Sequence, residues 1–166
     1  MAGNTKQTSP RELDILIAGA GYVGLATAVS IARAHPGLKV ALVDAAPEGV
    51  WQRDGRASAI AAAACRMLMR LDCWTEIEPE AQPITEMEIT DSRTADVVRP
   101  VFLTFGGETG EGEPFAHMVP NRVMNGALRA RAAESGIEII EGVAVDGFAD
   151  MGGHVTVSLA DGTTCR

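Results

Sequence analysis

Two short aliphatic runs, at residues 13–18 and 38–43, open the patterned part of the chain. Neither alternates regularly with polar residues, so each predicts a strand buried on both faces of a parallel sheet. Between them, residues 22–35 place Ala, Val and Ile at helical spacing and run into His35-Pro36-Gly37, where proline cannot continue a helix. Strand, helix and strand in that order predict a βαβ unit, with the right-handed crossover such units adopt. Residues 45–56 hold Pro47, Gly49 and Gly55 and read as a loop. The alanine-rich stretch 58–71 has the composition of a strong helix former. Trp74, Ile77 and Ile84 continue it as an irregular packing segment.

The pattern then changes. Residues 86–91 alternate and predict a half-exposed strand. Residues 97–105, rich in Val, Phe and Leu, predict a strand broken near Pro100. Residues 106–113 form a flexible acidic loop, read as a solvated hairpin tip rather than a metal site. After Pro120 the helical period returns, with Val123, Met124, Leu128 and Ala132 on one face and Gly136 as its stop. A short strand at 137–140 follows, then a hairpin of 143–149 and 154–159 about Gly152-Gly153, then a turn at Asp161-Gly162. The order predicts an α/β fold. Residues 13–166 read as a Rossmann-like nucleotide-binding domain interrupted by inserted antiparallel strands at about 86–118.

The chemistry lies where the first run ends. Gly19-Ala-Gly21-Tyr-Val-Gly24 falls between the first strand and the helix, and Asp44 ends the second strand 20 residues after Gly24. This spacing, in this setting, is a dinucleotide fingerprint. Gly19 lets the chain turn tightly out of the strand. Gly21 leaves room for a pyrophosphate, and Gly24 lets the helix lie close to the sheet. The helix start presents free N–H groups to the phosphates, and Asp44 can accept hydrogen bonds from ribose hydroxyls. The plainer alternative is that the glycines only close a tight turn and Asp44 only ends a strand.

Composition narrows the classes. The 166 residues suffice for one domain, 46% are apolar and 22% charged, and mean hydropathy is +0.09. Aromatics make up only 4%, so aliphatic side chains and alanine must fill the core. The net charge of −8 argues against nucleic acid as a partner. Cys65, Cys73 and Cys165 show no paired or metal-ligand spacing, which fits a reducing compartment. Residues 1–12 are polar, lack the apolar segment of a signal peptide, and read as a disordered leader. No apolar run approaches the roughly 20 residues that span a bilayer. His35, His117 and His154 lie far apart in sequence, and no Ser/His/Asp or metal-ligand set appears, so no catalytic residue is assigned.

With these residues together, the chain resembles the flavin-dependent aromatic monooxygenases of the p-hydroxybenzoate hydroxylase class. Within that class it is most similar to the ubiquinone-biosynthesis hydroxylases, which act on polyprenylated phenols. Three segments carry the resemblance: the glycine fingerprint with Asp44; Asp54-Gly-Arg56-Ala-Ser-Ala-Ile60 leading to Met69-Arg-Leu-Asp-Cys-Trp74; and His117-Met-Val-Pro-Asn121-Arg122-Val-Met-Asn-Gly-Ala-Leu128.

The resemblance implies FAD as cofactor and NAD(P)H as transient reductant. It implies hydroxylation of an aromatic, prenylated ring by dioxygen through a flavin C4a-hydroperoxide. Arg56 would lie along the flavin or its pyrophosphate. Asn121 would sit near the adenosine-pyrophosphate portion, with Arg122 as the alternative one residue on; an exposed loop arginine and an ordinary helix cap are the plainer readings. A cytoplasmic protein is implied, with peripheral contact at the inner membrane.

Two departures stand out. Asp44 occupies a position where the class usually has Glu. Family members are also much longer, and their second FAD fingerprint follows a hairpin like that at 143–159. The expectation is therefore an N-terminal fragment, truncated within its FAD-binding domain, that binds FAD weakly or not at all, is inactive alone and self-associates into a homo-oligomer through uncovered apolar surface. Alternatives are another FAD oxidoreductase, such as a prenyl reductase, or a non-catalytic nucleotide-binding module. The antiparallel block argues against a simple NAD dehydrogenase.

Overall fold

The computed structural model describes residues 10–166. In chain order the elements are β1 (Ile15–Ala18), α1 (Tyr22–Ala34), β2 (Val40–Asp44), β3 (Ala57–Ala61), α2 (Ala62–Arg70), α3 (Trp74–Ile77), β4 (Gln82–Ile84), β5 (Glu86–Thr90) and β6 (Val101–Gly106). There follow β7 (Glu108–Gly110), β8 (Glu113–Pro114), β9 (Ala116–Pro120), α4 (Asn121–Glu134), β10 (Glu138–Glu141), β11 (Val145–Asp150), β12 (Val155–Leu159) and β13 (Thr164–Cys165). The fold is mixed α/β and divides into two compact units. One comprises the described residues up to Asp54 together with Asn125–Arg166, and the other Gly55–Met124. The strands expected at about 86–118 all lie in the second.

In the first unit β2 is the central strand of a parallel sheet of order β1-β2-β10. Its registers run Ile15 to Val40 on one side and Glu138 to Ala41 on the other. Val40, Ala41, Leu42 and Val43 are all buried, as an unbroken aliphatic run between two neighbours requires. Helix α1 buries Leu25, Ala26, Ala28 and Val29. Full burial of a Leu or Val side chain contributes about 1.5–3 kcal/mol, so Leu25 and Val29 anchor the βαβ unit while the alanines let the helix lie close. The antiparallel sheet β11-β12-β13 adds Leu159 and Cys165, which pack with Val43.

Most of the leader expected over residues 1–12 lies outside the described residues, which begin at residue 10. The Arg11 amide donates to the Thr164 carbonyl at 2.9 Å, and the Arg166 amide donates to the Arg11 carbonyl at 2.8 Å. Arg11 also pairs with Glu138 at 2.7 Å. That pair holds the guanidinium above its ordinary value, chiefly by the hydrogen bond.

The second unit corrects the helix expected at 58–71. Residues Ala57–Ala61 form a strand, paired antiparallel with β9 from Ala57–Pro120 to Ala61–Ala116, and the helix begins only at Ala62. Alanine's helix preference is a few tenths of a kcal/mol per residue, and a five-residue ladder overrides it. Trp74 and Ile77, expected to be irregular, form the short helix α3. The acidic stretch 106–113 folds as the small hairpin β7–β8. Its Glu113 accepts the Thr109 hydroxyl at 2.6 Å and pairs with Arg66 at 2.7 Å. Those two contacts hold the Glu113 carboxyl below its ordinary value. Among the described residues no group of three or more His, Cys, Asp or Glu could hold a metal ion, and no helix is long and apolar enough to cross a membrane. All three cysteines are buried free thiols.

Candidate functional site

Strand β1 delivers the chain to the glycine turn, and β2 delivers Asp44 beside it. Ala18 and Val43 are register partners, and the Gly19 amide donates to the Val43 carbonyl at 2.7 Å. The turn is therefore tied to the strand that carries the acid. Asp44 Oδ2 accepts the Ala20 amide at 2.6 Å, and Oδ1 accepts the Ala46 amide at 2.8 Å. Two backbone donors fix the carboxylate, and its remaining lone pairs can accept hydroxyl donors.

The three glycines differ in what they do. Gly19 has φ +102°, a conformation an L side chain rarely adopts. A Cβ on Gly24 would lie 2.0 Å from the Gly19 carbonyl oxygen and 3.4 Å from Leu42 Cδ2, so only glycine lets α1 start there. Gly21 has neither constraint. It sits at φ −74°, ψ 172° as the residue before α1, and a Cβ on it would meet nothing within 4 Å. No side chain caps α1, and its first turn carries no acidic residue. The result is a helix N-terminus with open space at its mouth and a fixed carboxylate on the adjoining strand. These residues fit the pyrophosphate and ribose of a dinucleotide.

The expected site residues of the second unit form a separate cluster. Arg56 is exposed and precedes β3; its carbonyl accepts the Asn121 amide at 2.9 Å. Asn121 is buried at the start of α4, and its Oδ1 accepts the Ser58 hydroxyl at 2.7 Å. Arg122, exposed beside it, pairs with Glu80. Thus Arg56 and Asn121 are brought together through β3 and β9, while Arg122 points to a different partner. His117 lies elsewhere in this unit, 3.6 Å from Cys65 Sγ and edge-on to Trp74 with ring centroids 5.1 Å apart. Burial, then Glu113, pushes the Cys65 thiol up, which suits a packed thiol rather than a nucleophile.

Sequence reasoning missed Ser58, whose hydroxyl holds Asn121, and a trio in the first unit. There the Arg129 guanidinium lies 5.1 Å from the centre of the Trp51 ring and pairs with Glu141 at 2.9 Å. The signal available was Trp51 itself, one of two tryptophans in an aromatic-poor chain, placed in a loop of Pro and Gly.

Residues 14–95 match the family described as FAD dependent oxidoreductase. The chain is 32% identical over 132 residues to a ubiquinone hydroxylase, UbiL, of Rhodospirillum rubrum, covering 78% of this chain and 29% of that protein. Two similar solved structures are a probable FAD-dependent monooxygenase of Pseudomonas aeruginosa, PqsL, and the p-nitrophenol 4-monooxygenase PnpA of Pseudomonas putida. The first has a TM-score of 0.71 at 17% identity and covers 94% of this chain and 40% of that one. The second has a TM-score of 0.72 at 15% identity and covers 94% and 39%. The fold is that of FAD-dependent monooxygenases, and this chain spans well under half the length of these proteins.

Proposed function

The chain carries an FAD-dependent oxidoreductase domain, and on that premise we propose that it is the cofactor-binding part of an FAD- and NAD(P)H-dependent monooxygenase. Its substrate is an aromatic ring, a polyprenylated phenol of ubiquinone biosynthesis. Similarity to a protein named as a ubiquinone hydroxylase supports the substrate class. The reaction then belongs in the cytoplasm, at the inner-membrane surface where a prenylated substrate is held.

Bound FAD supplies the electron transfer and oxygen chemistry that side chains cannot. The chain's own residues bind and orient. The N-terminus of α1, with Gly19, Gly21 and Gly24, takes the pyrophosphate. Asp44 accepts the adenosine ribose hydroxyls. In the second unit, taken by itself, the cofactor contacts are Arg56, which offsets phosphate charge with several directed donors, and Asn121, or Arg122 in its place.

Gly21 is the observation that carries this reading. The fold has no steric use for a glycine there, whereas a phosphate at the helix mouth does. Replacing Gly21 by Val should abolish FAD uptake while stability stays within about 0.5 kcal/mol. Flavin fluorescence titration paired with a urea melt measures both. Unchanged FAD affinity in that variant, or a wild-type chain that ignores FAD and binds NAD tightly, would sink the reading.

A further inference from the structure

Arg129 stands outside every assigned role, yet its guanidinium makes both an ion pair and an aromatic contact within the first unit. It projects from α4 and is only 14% exposed. One contact is the face of Trp51, in the segment that follows Asp44. The other is Glu141 at the end of β10, 17% exposed. Glu141 is the register partner of Asp44 on the neighbouring strand. Two backbone bonds close the connection: Gly142 N–H to the Ala46 carbonyl at 2.9 Å, and Val143 N–H to the Asp44 carbonyl at 3.0 Å. Ala46 in turn donates its amide to Asp44 Oδ1.

We propose that Arg129, clamped between Trp51 and Glu141, is a positioning residue that fixes the orientation of the Asp44 carboxylate for ribose recognition. The inference rests on the FAD reading above. A planar guanidinium suits the task because it can stack on an indole and hold a carboxylate at once. It pins the segment after β2 to the end of β10. The Ala46 amide is thereby held where it directs one carboxylate oxygen, while Ala20 directs the other. In this role Arg129 acts through Asp44 rather than on the nucleotide directly.

A double-mutant cycle separates this role from general support of the fold. The probes are ADP and 2′-deoxy-ADP, titrated against the full chain, and the readout is the ratio of their affinities. Wild type should prefer ADP by about tenfold, the worth of a hydrogen bond to a charged acceptor. Asp44→Ala should bring the ratio to near one. Arg129→Lys keeps the charge and loses the planar stack, and Trp51→Leu removes the ring and leaves the ion pair; each should lower the ratio to about threefold. In the Asp44→Ala background neither should change it further.

A merely structural role would weaken both nucleotides equally, so an unchanged ratio in Arg129→Lys and Trp51→Leu, with Asp44→Ala still abolishing it, overturns the clamp alone. Absence of ADP binding or of ribose preference in wild type overturns the clamp and the nucleotide reading together. Should Arg129→Lys fail to fold, Trp51→Leu, in the partly exposed segment, decides the question by the same ratio.

Discussion

Two helix starts in this molecule are built on opposite plans. Helix α1 begins after Gly21 with no side chain over its first N–H groups and no acid in its first turn. Helix α4 begins at Asn121, whose amide goes to the Arg56 carbonyl and whose Oδ1 holds the Ser58 hydroxyl, with Arg122 paired to Glu80. One start is left open and the other is occupied by the protein's own groups. An isolated helix end costs free energy unless something satisfies it, so an open one, beside a fixed carboxylate, is suited to a ligand. The start of α4 is suited first to holding β3 and β9 together.

The sharpest way to break the contrast is inside the open start itself. Gly24→Val places a side chain against the Gly19 carbonyl. It should cost about 3 kcal/mol or more, because backbone on both sides of the clash cannot yield. A urea melt would show the loss without any ligand present. Gly21→Val should show the reverse, with binding lost and the melt unmoved, so the pair divides the turn into a folding position and a binding position. At α4, Asn121→Ala should cost about 1–2 kcal/mol, because the Ser58 hydroxyl loses a buried acceptor. Restoring stability by adding Ser58→Ala would confirm that source. FAD affinity should fall beyond the stability change if Asn121 also contacts the cofactor as proposed; affinity that only follows stability would leave it a purely structural residue. Arg122→Ala should be the mildest, about 0.5 kcal/mol in a melt, since both partners of its ion pair are close to half exposed.

Legibility in the sequence followed the same divide. The βαβ unit was readable because its signals are local: an unbroken aliphatic strand, a glycine turn and an acid at fixed spacing. Boundaries there moved by only a residue or two, to Ile15–Ala18, Tyr22–Ala34 and Val40–Asp44. Residues 57–61 were not readable, because what makes them a strand is β9, more than fifty residues away, and nothing in Ala-Ser-Ala-Ile-Ala announces it. The Asp44 carboxylate was found, but not that Ala20 and Ala46 hold it, because backbone donors leave no mark in a sequence. Arg129 was invisible for a related reason. Its partners Trp51 and Glu141 become neighbours only through the parallel ladder and the path of α4.

The strands show a second limit of pattern reading. β2 and the hairpin β5–β6 both carry many apolar residues. Yet Val40–Val43 are buried, while Met87, Ile89, Leu103 and Phe105, register partners on one face of the hairpin, remain partly exposed. The difference is the number of neighbours: β2 has a strand on either side, and β5 and β6 have only each other.

The 2.0 Å approach of a would-be Gly24 Cβ to the Gly19 oxygen has a consequence for inheritance. A codon change at position 24 is removed by failure to fold, whatever the protein binds. One at position 21 is removed only while a nucleotide is needed. A descendant that gave up its cofactor would therefore drift first at Gly21 and keep Gly24, leaving a fingerprint with its middle glycine erased.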